Sequence, residues 1–461
     1  GGGGGARPAP ALRRTASERA LRCRNLIRET VEAAGLAGPP ADGALALCVG
    51  DPTVFGLGPP AVAGEAVAAA AGATAGGGQS CHGYGHSAGV PAARAAVAEY
   101  LAREAPSAPR PDPGRDVWLG AGCSGALQLA LAALAREGGN VLLPRPAFPL
   151  YRTILDHYGV EARYYQLDPA GAWEADPAEL ARLADAETCA VLVCNPGNPT
   201  GHSYSRAHLA ALCEAAGGLG VPLVCDEVYA SMAFGPAPGP GAGEGTAQAS
   251  GGGAGAGGGT AGAAAFTSVA EVCASARCTC LVAGALSKRW LAPGWRLGWL
   301  ALYDEGGLAE GLRLREALGK LCQITLGPCS LVQAALPRIL AETPPDFFAR
   351  NLQTYAEGAR LSVRCVEQIP GLSCPSPPEG AMYLMVRLDL DTLDVADDVE
   401  FARALQAEEG VGVLPGSCFG APGFCRVVTA VPARELEEAW GRVEGFMKRH
   451  VSPRESGGAP P

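Results

Sequence analysis

Polar and apolar positions alternate along this chain in a repeating pattern. Short apolar runs of strand type occupy 116–120, 140–143, 190–194, 221–225, 280–284 and 297–302. Longer Ala/Leu-rich runs of helical type follow at 124–136, 149–158, 177–184 and 205–216. Such alternation predicts a mainly parallel central sheet with helices on both faces. After residue 350 the pattern changes to a helix (350–368), short strands near 382–388 and 411–414, a helix (398–409), a strand near 424–429 and a final helix (433–449). That is a smaller α+β domain. Residues 17–34 read as one surface helix. The expected division is an N-terminal arm and part of the small domain over 16–62, a large domain over 63–340 and a C-terminal small domain over 341–451. Residues 1–15 and 452–461 read as disordered tails and 72–79 as a loop. The Gly/Ala/Pro tract 235–265 reads as a flexible surface insertion, because it lacks the large side chains that offset the entropy of ordering.

Composition narrows the function. The 461 residues are 48% hydrophobic, enough for a sizeable core, and the formal net charge of −10 recruits neither nucleic acid nor an anionic membrane. No apolar run reaches the ~18–20 residues that span a bilayer. The 17 cysteines are odd in number, and Cys194 and Cys225 sit inside apolar runs, which fits buried thiols in a reducing compartment. Cys273, Cys278 and Cys280 lack a second ligand pair or a nearby His, so no metal site is expected. A cytoplasmic location is expected. Seven Arg against the single acid Glu18 in residues 7–28 leave organellar targeting open. Only three residues are Lys (Lys288, Lys320, Lys448), against 33 Arg, and only five are Asn. A Lys or Asn that remains in such a chain invites a chemical reason.

Ligands of open α/β sheets bind beyond the carboxyl ends of the strands. Past the candidate strands lie Gly122-Cys123-Ser124-Gly125, then Arg145-Pro146-Ala147-Phe148, Asn195-Pro196-Gly197-Asn198, Asp226-Glu227-Val228-Tyr229 and Ser287-Lys288. Lys288 is the centre of this set. A Schiff base needs a primary amine that can lose its proton, which Lys can do and Arg cannot. Asp226 ends the most apolar strand. A buried carboxylate needs a cation or hydrogen bonds, and a protonated pyridine nitrogen would serve. A helix N-cap is the plainer role for it. Tyr229 and Asn198 could hydrogen-bond a ring oxygen, although Asn-Pro pairs also make ordinary turns. Gly122 to Ser124 would offer N–H groups and a hydroxyl to a phosphate at a helix start, and Arg296 a bidentate grip. Phe148 could stack on the ring or be plain core.

The run Ser287-Lys288-Arg289-Trp290-Leu291-Ala292-Pro293-Gly294-Trp295-Arg296-Leu297-Gly298-Trp299 resembles the lysine signature of class I/II, fold type I, pyridoxal-5'-phosphate aminotransferases, in particular the tyrosine/nicotianamine aminotransferase group. Gly50-Asp51-Pro52-Thr53-Val54-Phe55-Gly56, Gly327-Pro328-Cys329 and Gly380-Ala381-Met382-Tyr383-Leu384-Met385 look similar to that group as well, so the resemblance spans roughly 20–450. It implies the cofactor pyridoxal phosphate, an aldimine on Lys288 as catalytic residue, and Asp226 as partner of the pyridinium. Tyr229 and Asn198 match the ring-oxygen partners and Phe148 the stacking aromatic. Gly122, Cys123, Ser124, Ser287 and Arg296 would surround the phosphate. Tyr84, in His82-Gly83-Tyr84-Gly85, matches a tyrosine offered across a homodimer interface. Arg426 matches the clamp on the substrate α-carboxylate, with Gly50 and Asn198 beside it. Two departures stand out. Ala285 replaces the Gly or Ser usual three residues before the lysine, and Asp226 lies 62 residues before Lys288, an excess that 235–265 accounts for. The implied reaction is ping-pong transfer from an aromatic or neutral amino acid, tyrosine favoured, to 2-oxoglutarate. The stretch 321–330 has no Arg, which disfavours a strict dicarboxylate enzyme. A C–S lyase acting on cysteine conjugates and a nicotianamine-type aminotransferase share these motifs. A non-catalytic regulator is disfavoured, since no helix-turn-helix or basic arm precedes the fold.

Overall fold

The computed structural model describes residues 16–33, 43–73, 81–235 and 266–451. The short strand β1 (Leu45–Ala46) stands apart from a seven-stranded central sheet. That sheet holds β2 (Val117–Ala121), β3 (Asn140–Arg145), β4 (Glu161–Gln166), β5 (Thr188–Cys194), β6 (Leu223–Asp226), β7 (Thr279–Ala285) and β8 (Leu297–Asp304), in the order β2-β8-β7-β6-β5-β3-β4. Strands β4, β3, β5, β6 and β7 pair in parallel, while β8 runs antiparallel between β7 and β2. The sheet is thus mainly parallel. Successive side chains alternate faces. Val191, Val193, Cys225 and Val282 join one buried cluster, and Leu192, Cys194, Val224 and Leu281 join the other. Both faces are covered, which explains why these strands read as continuous apolar runs.

Two sequence readings, the helix 17–34 and the strand 411–414, are corrected, and the fold holds elements that were not read. Residues 17–34 do not form one helix: helices Glu18–Arg22 and Leu26–Ala33 are separated at 23–25, where Asn25 Oδ1 accepts the Arg28 N–H at 3.1 Å and caps the second. Strand β4 escaped notice because its sequence, Glu-Ala-Arg-Tyr-Tyr-Gln, lies at the sheet edge and keeps several side chains partly exposed. Helix Ala61–Gly72 was not read because its mix of Ala, Val and Gly with a single Glu presents no distinct polar and apolar face. The strand expected at 411–414 divides in two, as the small sheet makes clear.

That sheet is formed by β9 (Leu372–Ser373) and β10 (Tyr383–Leu388), with, beyond the short β11 (Val411–Gly412), β12 (Leu414–Pro415) and β13 (Phe424–Val428). Its antiparallel order is β12-β13-β10-β9, whereas β11 pairs in parallel with β1. Helices Pro345–Gln368, Asp398–Glu409 and Ala433–His450 pack their apolar faces into the same cluster. The expected insertion lies outside the described residues from 236 to 265, as do both expected tails and the loop from 74 to 79. The strands on either side of the insertion, β6 and β7, pair from Leu223↔Cys280 to Asp226↔Ala283.

The core also seals in one carboxyl group. Glu227 is 4% exposed and accepts the Val269 N–H at 2.7 Å and the Ser268 hydroxyl at 2.8 Å. Burial pushes its carboxyl up to about 7 from an ordinary 4.5. Because the folded value lies above the unfolded one, the contribution to stability is full below pH 4.5 and is lost as pH rises towards 7. The loss is on the order of 2–3 kcal/mol. Between pH 5 and pH 8, urea midpoints should therefore fall further for the wild type than for Glu227→Gln. Equal falls would show that Glu227 carries no such penalty.

Candidate active site

The carboxyl ends of the parallel strands face a cavity of about 670 Å³. Across from them it is walled by Cys48–Asp51, by Leu414 and Arg426 of the small sheet, and by Asn25, Ile27, Arg28 and Val31 of the arm. Cys123, Ser124, Phe148, Asn198, Asp226 and Tyr229 line it. So do Ser287, Lys288, Arg296, Arg426 and Gly50. Of the residues nominated from sequence, only Gly122 and Tyr84 are not in the wall.

Asp226, the last residue of β6, is 4% exposed. Its Oδ2 accepts the Tyr151 hydroxyl at 2.8 Å, and its Oδ1 accepts the Cys123 thiol at 3.3 Å and the Val228 N–H at 3.2 Å. Burial raises this carboxyl above the usual range, and the hydrogen bonds and the charge of Lys288 oppose the rise only in part. All three donors are neutral, so the acid is suited to a cation delivered by a ligand.

Lys288 follows the end of β7, and its Nζ donates to the Gly50 carbonyl. The same Nζ lies 5.9 Å from the centroid of the Tyr229 ring. The Tyr229 and Tyr383 hydroxyls share a hydrogen bond of 2.6 Å, and burial holds the Tyr229 phenol well above its ordinary value. Gly50 is needed here, since a Cβ would collide with the Tyr383 hydroxyl.

Arg426, in the middle of β13, is 3% exposed. Its Nη1 donates to Asn198 Oδ1 at 2.9 Å and its Nη2 to the Cys48 carbonyl at 2.8 Å, while Nε has no partner. The guanidinium lies 4.2 Å from the Tyr383 ring centroid and 4.9 Å from that of Phe419. Among the described residues both of its hydrogen-bond partners are neutral and no carboxylate pairs with it. A buried cation without a counter-charge is costly unless an anionic ligand meets it. With Oδ1 of Asn198 engaged, its amide N–H groups are left to donate elsewhere.

The remaining end of the cavity is a helix start. Gly122, with φ +72°, opens helix Gly122–Leu134. A Cβ there would come within 2.7 Å of the Arg296 guanidinium carbon, so Gly122 makes room for Arg296 without lining the cavity. Arg296 donates to the Ala121 and Pro293 carbonyls, each at 2.9 Å. Gly298 of β8 presses on the same turn, where a Cβ would lie 2.6 Å from the Gly122 oxygen. Free N–H groups, the Ser124 hydroxyl, Ser287 and a guanidinium together suit a dianionic oxyanion. Phe148 packs edge-on to Tyr151, with centroids 5.9 Å apart. Tyr84 stands outside the cavity and is 86% exposed.

Tyr151, Tyr383 and Arg28 were not singled out for the site by sequence. Tyr383 stands in a segment already noted for its resemblance, but Tyr151 reaches Asp226 from 75 positions away with no local signal. Arg28 enters through the arm helix and makes no ion pair among the described residues.

Residues 43–443 match the family model for aminotransferase class I and II. The tyrosine aminotransferase of Bos taurus is 38% identical over 427 residues, covering 92% of this chain and 87% of that protein. The S-alkyl-thiohydroximate lyase SUR1 of Arabidopsis thaliana is 33% identical over 374 residues, covering 81% and 74%. Among solved structures, the tyrosine aminotransferase of Leishmania infantum superposes with a TM-score of 0.81 at 31% identity, covering 96% of this chain and 100% of that one.

Proposed function

Given that the chain belongs to the class I and II aminotransferases and is a pyridoxal-phosphate-dependent enzyme, we propose that it moves the amino group of an aromatic amino acid, tyrosine first, to 2-oxoglutarate. One observation carries the reading furthest. The buried Arg426, with no carboxylate partner among the described residues, faces the same cavity as Lys288 and Asp226.

The donor set fits the cofactor. The helix start at Gly122-Cys123-Ser124, with Ser287 and Arg296, would hold its phosphate. Asp226 would meet the protonated ring nitrogen, Tyr229 and Asn198 the ring oxygen, and Phe148 the ring face. Lys288 would hold it covalently. When bound, the cofactor supplies an electron sink for bonds at the substrate Cα.

The rest is work of this chain's own groups. Arg426 clamps the substrate α-carboxylate beside the Gly50 backbone. The Lys288 amine, once free, takes the proton from Cα as general base. Release of the first 2-oxo acid before the second enters makes the cycle ping-pong. The aromatic donor would pack against the apolar arm residues Ile27 and Val31. Arg28 offers a cation to the second carboxylate of 2-oxoglutarate, which answers the lack of Arg in 321–330. Tyr84 would serve the phosphate of a second copy in a homodimer, and its 86% exposure suits that use.

Arg28→Gln should raise KM for 2-oxoglutarate about tenfold, as expected on losing one charge-assisted hydrogen bond, with a smaller change for tyrosine. An equal rise for both would remove Arg28 from acceptor recognition. The similarity to a lyase of Arabidopsis thaliana favours one rival, expulsion of a thiol from a cysteine conjugate. Two parallel incubations, one with tyrosine and 2-oxoglutarate and one with a cysteine conjugate, decide between them. Glutamate formation supports the transferase, whereas thiol and pyruvate from cysteine conjugates, with no glutamate from tyrosine, would establish the lyase.

A further inference from the structure

A second chamber of about 320 Å³ lies behind Phe148, whose ring also walls the active cavity. Three arginines line it, Arg24, Arg145 and Arg152, against the single acid Asp156. Its walls come from three parts of the fold: the arm, the β3–β4 edge of the central sheet with the helix Leu150–Tyr158, and the turn Ser417–Gly420.

The three cations are not equivalent. Arg24 pairs with Glu29 at 2.6 Å, and Arg152 pairs with Asp156 at 2.6 Å. Arg145 has neither an ion pair nor a side-chain hydrogen bond among the described residues, and its Nε is buried with no partner. Its guanidinium lies 4.0 Å from the centroid of the Tyr164 ring. The ring attracts the cation without accepting a conventional hydrogen bond, so the guanidinium N–H groups stay available. Gly420 closes on its stem, where a Cβ would lie 3.3 Å from Nε. With Arg24 and Arg152 each matched by an acid, the unpaired Arg145 guanidinium leaves the chamber a positive charge and free N–H donors, which suits an oxyanion.

We propose that this chamber is an anion-binding site separate from the active cavity, and that it takes a small oxyanion of the phosphate class, held chiefly by Arg145. Free phosphate and the phosphate group of a small metabolite share this chemistry. Binding there would tie the arm to the sheet edge and to the Ser417–Gly420 turn. Phe419 of that turn also lies under Arg426, so an occupant should be felt where the substrate carboxylate binds.

The test uses protein saturated with pyridoxal phosphate, so that the turn at Gly122 and Arg296, which would hold the cofactor phosphate, is not free to take the titrant. Inorganic phosphate is titrated by calorimetry into wild type, Arg145→Gln and Arg152→Gln. Saturable binding to wild type, about tenfold or more weaker in Arg145→Gln and less affected in Arg152→Gln, is the expected result. Circular dichroism and retained cofactor verify the fold of each variant. Competition by glycerol 3-phosphate would extend the site to phosphate esters, and its absence would restrict the site to the free anion. Absence of saturable binding, or equal binding in wild type and Arg145→Gln, would overturn the proposal. Arg152→Gln gives an independent reading should Arg145→Gln fail to fold, because an unchanged affinity together with an unchanged salt dependence would also count against it.

Discussion

Lys288→Ala is expected to lower kcat by at least roughly 10²–10⁴-fold, the share that a positioned acid–base group contributes. The loss should not be recovered at saturating tyrosine or 2-oxoglutarate, because the proposed role is proton transfer at Cα and not ground-state binding. The other two lysines give the control. Lys320 pairs with Glu316 and Lys448 with Glu444, both at 2.6 Å and with side chains about 70% exposed. Lys320→Ala and Lys448→Ala should change kcat less than twofold, since both side chains are exposed and neither lines the cavity. A Lys288→Ala protein with near wild-type turnover would move the chemistry to another residue. Steady-state kinetics on the three variants is sufficient.

Arg426→Met should lower kcat/KM by about 10²–10³-fold for donor and acceptor alike, equivalent to about 3–4 kcal/mol. Both substrates carry an α-carboxylate, so both should lose the same contact. Stability should move differently. The wild-type guanidinium is 3% exposed, with an unpartnered Nε and no carboxylate beside it among the described residues. An apolar side chain of similar length removes that burial cost, so the cofactor-free variant should be at least as resistant to urea as wild type. A fall in activity with equal or higher stability is what a ligand-binding cation produces. A large loss of stability with unchanged kcat/KM would make Arg426 a structural residue.

The parts of the fold that sequence revealed are those where burial is two-sided. Strands β5, β6 and β7 carry apolar side chains towards both faces, so their runs stood out. Edge strand β4 carries the exposed Glu161 and Gln166 and the partly exposed Arg163, and it left no such trace. The arm misled for a local reason, because Asn25 can continue a helical pattern on paper but caps the next helix in the fold.

The site followed the same logic. Residues that directly follow strand ends could be nominated one by one, and the strand order then brought Asn198, Asp226 and Lys288 to one cavity. Residues that act through a distant partner could not. Tyr151 donates to Asp226 across 75 positions, and Tyr383 meets Tyr229 across 154. Gly122 was nominated for the phosphate turn, and the fold adds a second demand that sequence did not show, the space beside it into which Arg296 folds. Arg145 stood next to the nominated Phe148 in the sequence, yet its unpaired guanidinium became visible only with Tyr164 placed beneath it.

With only three lysines in the chain, one labelling measurement tests the central claim directly. The protein is saturated with pyridoxal phosphate, reduced with borohydride, digested and mapped by mass spectrometry. The cofactor mass is predicted on the peptide that contains Lys288, at close to one per chain, and absent from those containing Lys320 and Lys448. Label confined to Lys320 or Lys448, or no stable label on any of the three, would contradict it.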